Sequence, residues 1–321
     1  MIHVVPTLEL GGVYSTVQSV ILNLNQYFHT VVHSTPIEGL QHTLVDTLQL
    51  LGCDVLQVDR LTAEALESIE GTGAIFYNTR NLPGLGEVLP SLYYSYGVYC
   101  PGVKTSITVA CSGYAAQHDR TGNRLPTALD TVIPPLVATR GYRNIAGAGG
   151  PFTVGMLSSC TYNQYPYRLA QYLIDTLPAP DRLLLTRPPK TNVLDGLDRP
   201  NIISCKLDTA AEFRYTVNSD ILVYGTDENH FTPYGRTVVE AMGLGKIVIC
   251  ENRGVFPTML ENNVNAILYS TVEEIPDAIL RIKRDTVTRR RLSANAQLWA
   301  SWQDTSIHIG KLKRLLRVIG A

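Results

Sequence analysis

The stretch YGRTVVEAMGLGKIVICENRGVFPTMLENNVNAILYS, residues 234–270, contains the most informative pattern in the chain. It follows the apolar run DILVYG (residues 220–225) and a short polar loop. The pattern predicts a helix that begins near Gly235, a buried strand in KIVIC and a further strand in AILYS. Because strands alternate with helix-length segments here, we expect βαβ units and a parallel sheet.

The first turn of this helix is a predicted ligand site. A helix N-terminus presents unpaired backbone N–H groups and the positive end of the helix dipole, and both favour an anion such as phosphate. We expect a phosphate against the backbone of Gly235, Arg236, Thr237 and Val238. Glu240 lies one turn later on the same helix. Its carboxylate has two oxygens that can accept hydrogen bonds from a ribose diol.

The same alternation of strands and helices extends over the rest of the chain. It predicts an α/β protein with two Rossmann-like domains, residues 1–137 and 151–302. Residues 138–150, which are rich in glycine and small side chains, are predicted to link them. Ligands of open parallel sheets bind beyond the carboxyl ends of the strands, so the cleft between the two domains is the expected site.

Composition excludes several classes of protein. The 321 residues include 45% hydrophobic and 17% charged side chains, which is typical of a globular protein with a substantial core. The start MIHVVPTLEL lacks a basic n-region, and no apolar run is long enough to cross a bilayer, so we expect a cytoplasmic protein. The six cysteines have no CxxC spacing, which argues against a zinc site. The absence of GxxxxGK[ST], GxSxG and an early GxGxxG disfavours P-loop enzymes, α/β hydrolases and nicotinamide dehydrogenases.

Residues 234–270 resemble the C-terminal domain of glycosyltransferase family 4, whose members are retaining GT-B enzymes. The family pattern runs Phe-Gly, four residues, Glu-Ala-Met, then Gly-Lys-Pro-Val-Val, a Gly-Val-Pro-Glu turn and an Asn-Gly strand. The order and spacing are kept here over more than thirty residues. The matching positions are Gly235, Glu240, Ala241, Met242, Gly245, Lys246, Val248, Gly254, Val255, Pro257, Asn263 and Asn265.

The resemblance implies both a fold and an activity. The fold would be GT-B, with two Rossmann-like domains facing across a cleft and the helix in residues 303–321 crossing back to the N-terminal domain. The activity would be retaining, metal-independent transfer of a sugar from a UDP- or GDP-linked donor to an acceptor hydroxyl, with no cofactor. The catalytic set would be Glu240, Thr232 and Tyr96. The donor would also contact Gly11, Gly12, Arg187, Lys190, His230, Tyr234, Gly235, Arg236, Thr237 and Val238.

Two of these residues depart from the family pattern. Thr232 stands where the family has the first of two glutamates, and a threonine can bond a sugar hydroxyl but has no charge. Asp227 or Glu228 in the preceding loop could supply the missing carboxylate. Tyr96 stands where many members have a histidine near the transferred sugar. Tyr96 could contact the sugar, or it could be an ordinary core aromatic.

A third departure concerns the donor diphosphate. Met156 and Thr161 stand where the family has an arginine and a lysine, and Gln164 takes the lysine place if the loop is longer. Arg187 and Lys190 are predicted to substitute for them, although both could be plain solvated charges. The departures leave three other interpretations open. They are a catalytically weak or inactive nucleotide-sugar-binding relative, a GT-B sugar-nucleotide epimerase, and a purely structural protein.

The C-terminal region differs in charge from the rest of the chain. Residues 281–321 contain ten basic and two acidic side chains, whereas the whole chain has a net charge of -1. Together with Trp299 and Trp302 these residues suit a peripheral contact with anionic lipid. The alternatives are a solvated helix face and tryptophans that pack on the body of the protein. Nucleic-acid binding is not expected, because the remainder of the chain is acidic.

Overall fold

The chain divides into two compact units. One unit is Met1–Val137 with Thr305–Ala321, and the other is Ala138–Asp304. The structure is a computed structural model, which describes residues 1–5, 12–34, 36, 40–77, 91–95, 107–112, 115, 132–140, 142, 150–156, 165–178, 181–187, 199–206 and 215–321.

The first unit is built on a parallel six-stranded sheet in the order β3-β2-β1-β4-β5-β6. Its strands are β1 Ile2–Val5, β2 Thr30–His33, β3 Asp54–Gln57, β4 Ala74–Tyr77, β5 Ser91–Ser95 and β6 Ile107–Ala110. Its helices in the described ranges are α1 Gly12–Asn23, α2 Leu40–Leu50, α3 Ala63–Glu67 and, after the second unit, α9 Thr305–Val318. The last helix thus belongs to the first unit, where it packs against α1.

The second unit has a parallel sheet in the order β12-β11-β10-β7-β8-β9. The strands are β7 Thr153–Met156, β8 Arg182–Arg187, β9 Ile202–Lys206, β10 Ile221–Tyr224, β11 Ile247–Glu251 and β12 Ile267–Tyr269. Its helices, again within the described ranges, are α4 Tyr167–Thr176, α5 Arg236–Gly243, α6 Phe256–Met259, α7 Ile275–Arg284 and α8 Thr286–Ser301.

The two sheets have the same topology. Counted from its own first strand, each runs 3-2-1-4-5-6, the order of the Rossmann fold. The order reverses between β1 and β4 in the first unit and between β7 and β10 in the second. Ligands of such sheets bind beyond the carboxyl ends of the strands at this switch point. In the second unit the carboxyl ends of β7 and β10, at Met156 and Tyr224, lie beside this switch point.

The central strands form because most of their residues are apolar. The central strands β1, β4, β7 and β10 are buried along their whole length, as expected for parallel strands that are covered on both faces. The hydrophobic core of the second unit joins β7, β8, β10, β11 and β12 to the inner faces of α4, α7 and α8. No helix in the described ranges is both long and apolar enough to cross a membrane.

The predicted fold class is confirmed: the protein is α/β, with two Rossmann-like parallel sheets. Two short helices were not predicted. Helix α3 has only five residues and starts at Thr62, whose hydroxyl accepts the amide of Ala65. Helix α6 has four residues with Pro257 in its first turn. Neither is long enough to show a helical period in the sequence.

Candidate functional site

Helix α5 begins at a glycine that no other residue can replace without strain. Gly235 is the N-cap and has φ 72°, in the left-handed region. A Cβ atom at this position would lie 2.6 Å from Cε1 of Phe256. Phe256 is fully buried and packs edge-on against Tyr224, with 5.4 Å between the ring centroids. The helix start is therefore fixed by backbone conformation and by close packing at once.

The amides at this N-terminus are not all equivalent. The Val238 amide donates to the carbonyl of Gly235 at 3.0 Å, so it is already engaged inside the helix. We therefore expect a phosphate to contact the amides of Arg236 and Thr237 rather than that of Val238. Tyr234 and Val238 are buried, whereas Arg236 and Thr237 are half-buried at the surface of the first turn.

Glu240 forms an ion pair within the helix. Nε of Arg236 donates to Oε1 of Glu240 at 2.8 Å, an i,i+4 pair. A ribose diol would therefore have to share Oε1 with Arg236 or bind Oε2. Tyr142 lies beside the pair, and burial raises the pKa of its phenol, with a further contribution from the Glu240 carboxylate.

The loop before α5 holds the predicted sugar contacts. Thr232 is buried, and its Oγ1 has no hydrogen-bond partner among the residues that the structure describes. Its carbonyl accepts the amide of Val255 at 3.1 Å. Gly254, with φ 61°, lies so close that a Cβ there would be 3.0 Å from the Thr232 carbonyl oxygen. The His230 amide donates to Asp227 and its carbonyl accepts from Thr226 Oγ1.

Sequence reasoning missed the strongest polar cluster of this unit. Glu251, the buried last residue of β11, accepts from Thr226 Oγ1 at 2.8 Å and from Nε of Arg253 at 2.8 Å. Burial raises the pKa of the Glu251 carboxyl, and the hydrogen bonds from Thr226 and Arg253 oppose that rise. The available signal was the pair of opposite charges in CENRG, directly after an apolar strand.

The carboxyl edge of the second sheet lacks a cation at the end of its first strand. Met156 ends β7 and is fully buried. Arg187 ends β8, two residues beyond the partner of Met156, so its backbone lies at the same edge. The side chain of Arg187 lies outside the described part of the chain, as do Thr161, Gln164 and Lys190.

The first unit has few described site residues. Gly12 is the first residue of α1, close to the carboxyl end of β1. Gly11 and Tyr96 lie outside the residues that the structure describes. Their predicted contacts with donor and sugar stay predictions. In the described ranges, no group of three or more His, Cys, Asp and Glu side chains could hold a metal ion.

Two matched motif residues have structural contacts. Lys246 is buried and its Nζ donates to the Val217 carbonyl at 2.8 Å. Burial lowers the pKa of its ammonium group. The Asn265 side chain accepts the amide of Glu261 at 2.9 Å and so closes the turn before β12. These two positions support the backbone of the motif.

Comparisons with known proteins agree with this geometry. Residues 213–299 match the sequence profile of the family described as Glycosyl transferases group 1. A search of curated protein sequences found no significant match. HepE of Anabaena, in complex with UDP and glucose, superposes with a TM-score of 0.78 at 16% identity over 98% of both chains. A glycosyltransferase from Rickettsia africae gives 0.75 at 16% identity, over 99% of this chain and 97% of that one. The chain has the GT-B fold.

The GT-B prediction is thereby confirmed at the level of the fold. WaaG, a glycosyltransferase involved in lipopolysaccharide biosynthesis, superposes over 100% of both chains with a TM-score of 0.70 at 11% identity. The family match runs from the segment before β10 into α8. It therefore includes the Gly235 cap, Glu240 and the Glu251–Arg253 cluster of this GT-B chain.

Proposed function

We propose that this protein is a cytoplasmic, retaining glycosyltransferase. It moves a hexose-type sugar from a nucleoside-diphosphate donor to an acceptor hydroxyl. The nucleotide sugar is a substrate, and the reaction needs no cofactor and no metal. The observation that supports this proposal is the start of α5, where a left-handed glycine cap is followed one turn later by Glu240 inside the group 1 match.

The chemistry that this site offers is charge stabilisation. As the bond between sugar and phosphate breaks, negative charge grows on the leaving diphosphate. We expect the positive end of the α5 dipole and the amides of Arg236 and Thr237 to stabilise this charge. Glu240 would hold the ribose, while Thr232 and His230 would contact the sugar. Gly11, Gly12, Tyr96, Arg187 and Lys190 complete the proposed set.

The first nucleotide to test is UDP. HepE, which has the same fold, was solved with UDP and with UDP-glucose. GDP is the second candidate. A diphosphate at a hundred times its dissociation constant is expected to raise the free energy of unfolding by about 2.7 kcal/mol. We expect Glu240→Gln to weaken UDP binding about tenfold, which removes about 1.4 kcal/mol of that stabilisation. A thermal-shift titration measures both.

A matched variant separates the ribose contact from the ion pair. Arg236→Met keeps the backbone amide and Glu240 but removes the 2.8 Å pair. It is expected to keep the UDP dissociation constant within about twofold, since an i,i+4 pair on a helix contributes only about 0.3–0.5 kcal/mol. Equal losses in both variants would contradict the role of Glu240. Retention and metal independence are tested together by the anomeric configuration of the product formed in excess EDTA.

A second candidate function is supported by Met156. The family places a cation at this position, and here the side chain is apolar and fully buried. A charged hydrogen bond contributes about 1.5–3 kcal/mol, so its loss would weaken binding of the diphosphate. The chain could then be a nucleotide-sugar-binding relative with little or no turnover. UDP binding without donor hydrolysis or transfer would favour this candidate over the transferase.

We also propose that the basic C-terminal helices contact an anionic membrane surface. Helix α9 buries Thr305, His308, Leu312 and Leu316 on one side. Its opposite side is exposed and combines basic with apolar residues: Ile307, Lys311, Arg314, Arg317 and Val318. Helix α8 exposes Arg290, Ala294, Leu298 and Trp302 at spacings of four. Trp302 is 60% exposed, so the alternative that both tryptophans pack on the body is wrong for this residue.

This contact is expected to depend on the charges of α9. A basic side chain near an anionic surface contributes about 1 kcal/mol, so Lys311→Gln with Arg314→Gln should lower binding to phosphatidylglycerol vesicles by tenfold or more. Vesicle sedimentation measures the change, with neutral phosphatidylcholine vesicles as the blank. Arg168→Gln with Arg182→Gln removes two exposed charges elsewhere and should leave binding unchanged. Equal losses in both double variants would contradict a specific role for α9.

A further inference from the structure

We propose that Arg253, anchored by Glu251, is a positioning residue that fixes the loop Thr226–Thr232 in its binding conformation. The inference rests on the proposed function, because this loop contains the proposed sugar contacts His230 and Thr232. Neither Glu251 nor Arg253 is among the positions that resemble the family pattern.

The guanidinium of Arg253 binds three consecutive carbonyls of the loop. Nη1 donates to the carbonyl of Glu228 at 2.8 Å. Nη2 donates to the carbonyls of Thr226 at 2.6 Å and Asp227 at 2.7 Å. The planar fork of an arginine can reach several acceptors at once, which a lysine ammonium cannot match in the same geometry. The loop backbone is thus held by one side chain.

Glu251 holds that side chain in place. Its carboxylate accepts from Arg253 Nε at 2.8 Å and from the amide and hydroxyl of Thr226 at 3.0 and 2.8 Å. The Glu251 side chain is 5% exposed, so its carboxylate has little contact with water. Because β11 pairs with β10, the end of β11 lies beside the start of the loop. A buried charge at a strand end therefore anchors both Arg253 and the first residue of the loop.

The loop has a second contact with the same arginine. The guanidinium carbon lies 5.8 Å from the centroid of the Phe231 ring, a cation–π distance. The next residue, Thr232, is in turn bonded to Val255 through its carbonyl. Arg253 and the turn that follows it thus contact the loop from Thr226 to Thr232. Without the guanidinium, a donor would have to order this loop as it binds, which weakens binding.

Hydrogen exchange in the ligand-free protein tests directly whether Arg253 fixes the loop Thr226–Thr232. We expect the amides of residues 226–232 to exchange about tenfold faster in Arg253→Lys and in Glu251→Gln than in the wild type. Arg253→Lys keeps the charge beside Glu251 but loses the fork to the carbonyls. If the pair were only a structural ion pair, the lysine would rescue it. Wild-type exchange of this loop in Arg253→Lys would overturn the proposal.

Kinetics test the consequence for the donor. With UDP release from UDP-glucose as the readout, Arg253→Lys is expected to raise KM about tenfold and to change kcat by less than about twofold. Added ordering before binding weakens the ground state and the transition state alike. A kcat that falls with unchanged KM would overturn the positioning role. If the wild type binds neither UDP nor UDP-glucose, the proposed function fails, and the exchange result still decides whether Arg253 fixes the loop.

A matched control lies at the other end of the same unit. Asp181, which directly precedes β8, is buried and bonded to Nζ of Lys283 at 2.6 and 2.8 Å. Asp181→Asn therefore breaks a buried ion pair at the amino edge of the sheet. We expect it to lower the melting temperature as much as Glu251→Gln does, with no change in loop exchange or in KM. An equal rise of KM in Asp181→Asn would attribute the effect to general destabilisation and overturn the inference.

Discussion

Gly235→Ala is expected to destabilise the second unit by about 2–5 kcal/mol. An alanine held at φ 72° costs about 1–2 kcal/mol because its Cβ crowds the following carbonyl. The same Cβ would lie 2.6 and 2.9 Å from two carbons of Phe256, and overpacking of this kind costs about 1–3 kcal/mol. The ring is fully buried against Tyr224 and cannot swing away.

Urea unfolding followed by tryptophan fluorescence measures this effect, because both tryptophans lie in the second unit. Gly310→Ala is the control. Gly310 lies inside α9 of the first unit, with nothing within 4 Å of its Cβ position, so alanine there should leave the fluorescence transition unchanged. Far-UV circular dichroism should show that it stabilises the first unit by about 0.5–1 kcal/mol. Phe256→Leu in the Gly235→Ala background separates the two costs, since it relieves the contact and leaves the φ strain. A loss below about 1 kcal/mol in Gly235→Ala would contradict the account of the cap.

Most of the fold could be predicted from the sequence because its strands are buried on both faces. Runs such as ILVY and IVIC are continuously apolar, and each lies in a strand of the second sheet. Helix α5 was predicted to begin near Gly235, and it begins one residue later with that glycine as its cap. What escaped prediction was short: α3 and α6 have too few residues to show a period.

The candidate site was predictable only where its contacts are local. The pair Arg236–Glu240 spans four residues of one helix, so the sequence spacing alone could have predicted it. The contacts of Arg253 join residues 25–27 positions apart, through the pairing of β10 with β11. No local pattern determines that register. The contact between Arg253 and the loop after β10 can be predicted only when it is known that β11 lies next to β10.

The first unit is expected to lose stability in mild acid because it buries a contacting pair of histidines, His3 in β1 and His29 just before β2. His3 Nε2 lies 2.9 Å from His29 Nδ1, His3 Nδ1 lies 3.1 Å from the Tyr77 hydroxyl, and His29 Nε2 lies 3.0 Å from the Leu24 carbonyl. The Leu24 carbonyl can only accept, so it requires a proton on His29 Nε2. Neutral His29 Nδ1 then accepts from His3 Nε2, and His3 Nδ1 accepts from Tyr77.

Burial and neighbouring groups oppose protonation of these two hydrogen-bonded histidines. Burial is the largest cause that lowers the pKa of His3, followed by His29 and by the N-terminal ammonium of Met1. Burial also lowers the pKa of His29, although its bond to the Leu24 carbonyl opposes that shift. A second proton on His29 would point at the N–H of His3. Tyr27, the other ionisable ring beside His29, packs edge-on against it at 6.5 Å.

The direction of the pH effect follows from these shifts. Both histidines bind protons less readily in the folded state than in the unfolded chain, where the pKa is about 6.5. Their contribution to stability is therefore complete above that pH and is lost as the pH falls below it. Each histidine changes the free energy of unfolding by up to about 1.4 kcal/mol per pH unit, so the pair should lower it by at most about 3 kcal/mol at pH 5.5.

Urea unfolding at pH 7.5, 6.5 and 5.5 measures this loss, with far-UV circular dichroism for the whole chain and tryptophan fluorescence for the second unit. We expect the acid loss in the first signal and not in the second. His3→Gln should lower stability at pH 7.5 and remove about half of the pair's share of the pH slope, because one of its two histidines is gone. His42→Gln, an exposed position on α2, should leave the slope unchanged. Parallel slopes in the wild type and His3→Gln would place the acid sensitivity in other groups, because a histidine that stays neutral in both states adds no pH dependence.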